Sequence, residues 1–262
     1  MGDFTNISWT LRTQNFWTGC KKVSPGCKHC YMFRDMERYG RDPNKVTKTK
    51  TWNNPKRWQL PLVGTDKKEM VFTCSWSDFF IRDADEWRKD AWKVIKDTPN
   101  LLYQILTKRP ENIQSRLPDD WGEGYPNVAL GVSVETKHYL WRVNYLRSIA
   151  AKWRFISAEP LLGSIKDINL DGICWVIVGG ESGGNFRPMK VEWAREVRDL
   201  CLARNISFFY KQGAATRPGQ DDKLDGIAWK QWPAEWLNQP EPVGCGAPSS
   251  DLFFGEPETV AQ

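Results

Sequence analysis

Three of the seven cysteines fall between Cys20 and Cys30, spaced C-x6-C-x2-C. Three thiolates meeting at one point hold a metal more readily than they build a disulfide framework, because one thiol would be left over. Between them Ser24-Pro25-Gly26 reads as a turn, since proline pre-sets φ and glycine accepts φ > 0. Cys27 and Cys30 are expected on the first turn of a helix over about 27–39 that Gly40 closes, with both sulfurs on one face. Structural zinc takes four Cys or His ligands. The one local fourth candidate, His29, precedes Cys30 on a different helix face. Iron–sulfur clusters are also held by thiolates, often with C-x2-C spacing. Three cysteines would leave one iron of a four-iron cluster open, which is what reaction with S-adenosylmethionine requires. The spacing favours the cluster, with structural zinc as the alternative.

The elements that must position this loop follow from residue 69. Met70–Cys74, Leu101–Leu106, Asn127–Val134, Trp153–Ser157, Ile173–Val178 and Ser207–Tyr210 are apolar, β-branched runs. Helices are expected at about 84–97, 137–149 and 191–204, with a short one after Pro110. Strands alternating with helices imply βαβ units and a mainly parallel sheet. Six such strands, plus one expected near the cysteine loop, fit a barrel or an incompletely closed one. Each run closes on a polar cluster: Ser75, Ser77 and Asp78; Lys108 and Arg109; Ser133 and Glu135; Glu159; Glu181; Lys211. In barrels the active site lies at the carboxyl ends of the strands, so these clusters are expected around one mouth.

Of the 262 residues, 40% are hydrophobic and 15 are tryptophan, enough for a substantial core. No apolar run reaches the ~18 residues of a membrane span, and no secretory signal is read at the start. A reducing cytoplasm is expected, with Cys74, Cys174 and Cys201 as buried thiols. Net charge is +5, but residues 1–232 carry 37 basic against 27 acidic residues. Such a body is compatible with a polyanionic partner. The acidic, proline-rich stretch 233–262 is expected to be irregular or disordered, with Leu252-Phe253-Phe254 as its one anchor. The connection 41–68 holds eight basic residues with Trp52 and Trp58 among them. Lys48, Lys50, Trp52, Lys56 and Arg57 are therefore candidate nucleic-acid contacts, together with Arg187. The alternative is a solvated loop whose tryptophans tuck onto the core.

Nine blocks in order carry a resemblance. They include Trp17-Thr18-Gly19-Cys20, Leu106-Thr107-Lys108-Arg109-Pro110-Glu111, Gly131-Val132-Ser133-Val134-Glu135, Glu159-Pro160-Leu161-Leu162-Gly163 and Phe208-Phe209-Tyr210-Lys211-Gln212. Together they resemble the phage Gp37/Gp68 family (DUF5131), which in turn resembles radical S-adenosylmethionine enzymes. The usual cysteine spacing there is C-x3-C-x2-C, and here the first gap is longer. The resemblance implies a partial (βα)6-type TIM barrel and a [4Fe–4S] cluster on Cys20, Cys27 and Cys30. It further implies S-adenosyl-L-methionine as cofactor, an external flavodoxin- or ferredoxin-type electron donor, and hydrogen abstraction by a 5′-deoxyadenosyl radical. Tyr31, Ser75, Ser77, Asp78, Lys108, Ser133 and Glu135 would hold the cofactor, with Asp78 accepting from its ammonium and Lys108 or Arg109 pairing its carboxylate. Glu159, Glu181 and Lys211 would face substrate. A DNA base is the expected substrate, specifically an amino-acid-modified thymidine undergoing isomerisation, on a monomeric enzyme. The plainer alternatives are Asp78 as a helix cap, a salt bridge from Lys108 or Arg109 to Glu111, and Glu159 as a turn residue before Pro160.

Overall fold

The computed structural model describes residues 4–236. Seven strands make one all-parallel sheet: β1 (Arg12–Gln14), β4 (Glu69–Thr73), β5 (Leu101–Thr107), β6 (Val128–Ser133), β7 (Trp153–Ala158), β8 (Trp175–Gly179) and β9 (Ser207–Gln212), in that spatial order. It curls into a half-barrel whose edges are β1 and β9. β1 pairs in parallel with β4, so the strand expected near the cysteine loop is present. A separate antiparallel pair, β2 (Trp17–Thr18) and β3 (Thr47–Lys48), leads into that loop. The helices are α1 (Tyr31–Arg38), α2 (Asn54–Gln59), α3 (Asp85–Lys96), α4 (Trp141–Ser148) and α5 (Val191–Ala203). None is long and apolar enough to cross a membrane.

Strands buried on both faces read as continuous apolar runs, which is why β5 to β9 stand out in the sequence. Outward-facing Tyr103, Ile105, Leu130, Val132, Ile156, Val176 and Phe208 join the core that includes Trp92 and Ile95 of α3, Val143 of α4 and Val197 of α5. Inward-facing Leu102, Ala129, Phe155, Trp175, Ile177 and Phe209 fill the concave side with Trp9 and Trp236. Phe155 occupies the interior because β6 offers Gly131 beside it: a Cβ there would stand 2.4 Å from the ring.

Two expectations change. The connection 41–68 is not a bare loop, since α2 lies within it and its Trp58 is buried. The turn 234–236 belongs to the body, with Trp236 buried and 5.2 Å from Trp175 between ring centroids. The rest of the expected tail, with Leu252-Phe253-Phe254, lies outside the described residues. Trp236→Ala is expected to cost about 3–5 kcal/mol in urea unfolding, as removal of a buried tryptophan does. A chain ending at 232 should lose at least as much.

Candidate functional site

The cysteine loop begins at Gly19, whose φ of +95° and lack of a Cβ let it pass 2.3 Å (Cβ-equivalent distance) from the Lys45 carbonyl oxygen. Its N–H donates to Trp76 O (3.0 Å), and the Cys20 N–H donates to Pro43 O (2.8 Å). Cys27 ends a single 3-10 turn, Pro25–Cys27, and Cys30 is extended (ψ 126°) just before α1. The shared helix face expected for Cys27 and Cys30 is therefore absent: the proline–glycine turn runs on one residue, and the helix starts only at Tyr31. Gly40, at φ +66°, closes α1 as expected, and the Arg41 N–H returns to Met36 O (2.9 Å).

Strand-end side chains fasten this loop. After β4, Asp78 accepts from Thr107 Oγ1 (2.7 Å), the Phe80 N–H (2.9 Å), the Lys108 N–H (3.0 Å) and Arg109 Nη1 (2.9 Å). Arg109 in turn donates to Lys21 O (2.5 Å) and reaches Cys20 Sγ at 3.7 Å. After β6, Glu135 is fully buried and accepts from Ser24 Oγ (2.6 Å) and Arg142 Nη1 (2.9 Å), with Lys108 Nζ at 3.7 Å. Gly26 lies against the same carboxylate, where a Cβ would stand 2.5 Å from Oε1. After β8, Glu181 receives the Arg187 backbone N–H and Nε, each at 2.9 Å, and faces His29 Nδ1 at 2.9 Å. Ser77 Oγ donates to Gly19 O and Tyr31 OH to Ser75 O, each at 2.5 Å.

The structure thus ties Glu135 and Glu181 directly to the loop and Asp78 through Arg109, each carboxylate with its oxygens already engaged by protein donors. Asp78 has the local N–H contact of a cap, but to Phe80, well before α3, and Arg109 pairs with it rather than with Glu111. Four polar residues at the strand ends make no bond to the loop. Ser133 Oγ is buried with no protein partner, Ser157 Oγ donates weakly to Glu159 Oε2 (3.3 Å), and Glu159 Oε1 pairs with Lys211 Nζ (3.1 Å). Gly179 makes room for that carboxylate, since a Cβ there would stand 2.4 Å from Oε1.

The nucleic-acid set is not brought together with this site. Trp52 packs edge-on against Phe16 (5.0 Å) with Lys48 Nζ over its other face (4.3 Å), which is the tucked alternative. Lys50, Lys56 and Arg57 are exposed on the connection that carries β3 and α2, and Arg187 is spent on Glu181. His29, Arg109 and Arg142 are engaged in the structure without a settled role in the sequence reading. The signals were a histidine inside C-x2-C and a lone arginine on the buried face of α4.

A single zinc ion draws four donors around itself at about 2.0–2.3 Å. Among the described residues no group of three or more His, Cys, Asp or Glu is arranged to hold such an ion. The cysteines are nonetheless neighbours: Cys20 and Cys30 pack on the same Met32, Phe33 and Met36 patch, and Cys27 lies within electrostatic reach of both. A four-iron cluster would spread its thiolates over separate irons rather than draw them around one ion. Burial, then the Asp78 charge, push the Cys20 thiol up to about 12 against the pull of Arg109, and burial raises Cys30 as well. Thiols so disposed become thiolates when a metal binds them.

Residues 4–233 match the model of a family described as "Protein of unknown function (DUF5131)". The chain belongs to the DUF5131 family. No curated protein and no solved structure gives a significant match.

In this family member Glu181 is a pH-sensitive fastening. Burial alone would raise its pKa, but donation from Arg187 and His29 outweighs it and holds the carboxyl at about 2, below the usual 4.5. A depressed folded-state pKa contributes stability above about 4.5 that is lost as pH falls towards about 2. Hydrogen exchange at residues 27–31, taken relative to its intrinsic rate at each pH, is therefore expected to rise as pH falls across that window. Glu181→Gln should raise it at neutral pH and remove the dependence.

Proposed function

We propose that this chain is a radical S-adenosylmethionine enzyme, with a [4Fe–4S] cluster on Cys20, Cys27 and Cys30. The observation that carries the reading is the fastening of a three-cysteine loop over the carboxyl ends of a parallel half-barrel by Asp78–Arg109, Glu135 and Glu181. With S-adenosylmethionine, such a cluster supplies one-electron cleavage of the sulfonium and a carbon radical that takes a hydrogen atom.

The chain's own residues supply position and charge. Ser133 Oγ, lacking a protein partner, is a hydrogen-bonding group available to a bound molecule. The Glu159–Lys211 pair is partly exposed, so it can exchange its internal contact for charged groups of a substrate. The aromatic plug of Trp9, Trp175 and Trp236 shuts the other end of the interior to water. The substrate we propose is a nucleic-acid base, specifically an amino-acid-bearing thymidine whose rearrangement the enzyme catalyses. The described residues carry 37 basic against 27 acidic side chains, in keeping with a polyanion, and Lys211 would pair with the substrate carboxylate.

Anaerobic reconstitution with iron and sulfide is expected to give broad visible absorbance that Cys20→Ala, Cys27→Ala and Cys30→Ala each abolish. Reduction with S-adenosylmethionine should then release 5′-deoxyadenosine. A chain that takes up no iron and cleaves no cofactor would end this reading. For the substrate, the modified nucleoside from treated DNA should shift in chromatographic retention and in its fragmentation pattern, at unchanged mass, with wild type and not with Lys211→Ala.

A further inference from the structure

We infer that Arg109, held by Asp78, sets the reduction potential of the proposed cluster by donating an N–H to Sγ of Cys20. The inference rests on the proposed cluster and concerns residues of this chain alone. Arg109 is 7% exposed, and three of its contacts converge: Nη1 to Asp78 Oδ2 at 2.9 Å, Nη1 to Cys20 Sγ at 3.7 Å and Nη2 to Lys21 O at 2.5 Å. A guanidinium fixed at both forks has one orientation and keeps its charge. The next residue back, Lys108, sends its charge toward Cys30 and Glu135. Successive residues of an extended chain point to opposite sides, so one strand end provides cations to two cysteines.

Reduction adds one electron, and hence one negative charge, to a cluster already surrounded by thiolates. A buried cation and an N–H···S contact favour that reduced state, and net charge and sulfur hydrogen bonds are known levers on such potentials. Asp78 opposes Arg109, because its negative charge is also felt at Cys20. The two residues therefore pull the potential in opposite directions, and a merely structural pair would not.

The test uses full-length wild type, Arg109→Met, Arg109→Lys and Asp78→Asn, each reconstituted anaerobically, assayed for iron and sulfide, and titrated by EPR. At the wild-type midpoint, Arg109→Met is expected to lower the reduced-to-oxidised ratio at least tenfold, about 59 mV for one electron. Arg109→Lys should fall by less, and Asp78→Asn should shift the other way. An iron-loaded Arg109→Met with the wild-type midpoint overturns the inference, and so does Arg109→Lys with a rise. Wild type labelled with 15N-arginine needs no variant to fold: the reduced cluster should show a 15N coupling by pulsed EPR, and its absence overturns the inference. If wild type loads no iron, the cluster itself fails, which is seen before any variant is compared.

Discussion

The structure depends on a buried carboxylate. Glu135 has no exposed surface, and an ionised group there is tolerated only when it is paired and hydrogen-bonded. Its partners come from two directions: Arg142 from the helix layer outside and Ser24 from the cysteine loop above. Arg142 stays bonded whatever the loop does, so the loop adds the Ser24 hydroxyl, and a buried acceptor deprived of such a donor costs about 1–3 kcal/mol. The loop therefore has one favoured seat, and Gly26 is the residue that lets its backbone come down onto it.

Asp78 and Glu181 repeat the device on β4 and β8, so the loop is held from three sides of the half-barrel. The strand ends consequently divide their work. Those of β4, β5, β6 and β8 send side chains to the loop, while Ser133, Glu159 and Lys211 of β6, β7 and β9 make no bond to it. A parallel sheet makes this division possible because every strand ends at the same mouth.

Much of the sheet was legible in the sequence. Runs such as Trp175–Gly179 are buried on both faces, and nothing else reads so uniformly apolar. The α2 helix was missed because it is six residues long and opens on Asn54-Pro55, which reads as a turn. The three carboxylates were correctly placed at strand ends, yet their partners were invisible. Ser24 is 111 residues from Glu135 and His29 is 152 from Glu181, distances over which pattern carries no information. Trp52 and Trp58 left two readings open for another reason. Basic residues beside tryptophan suit a base-stacking surface and a packed edge equally well, and only burial separates the two.

Under the proposed function, the strand-end polar groups that the loop does not use are where a ligand would sit. Native structures leave few buried polar atoms unpaired, and each one calls for a reason. Ser133 Oγ is such an atom, one strand away from Ser157 and the Glu159–Lys211 pair. A partly exposed ion pair adds little to stability, so packing alone does not account for a lysine and a glutamate at that position. Gly179 sharpens the point: a side chain there would displace Glu159, so the backbone is shaped to keep the carboxylate at the rim. The same strands thus carry two sets of polar groups, one satisfied by the cysteine loop and one with capacity to spare. Under the proposed function, it is the second set that a substrate would complete.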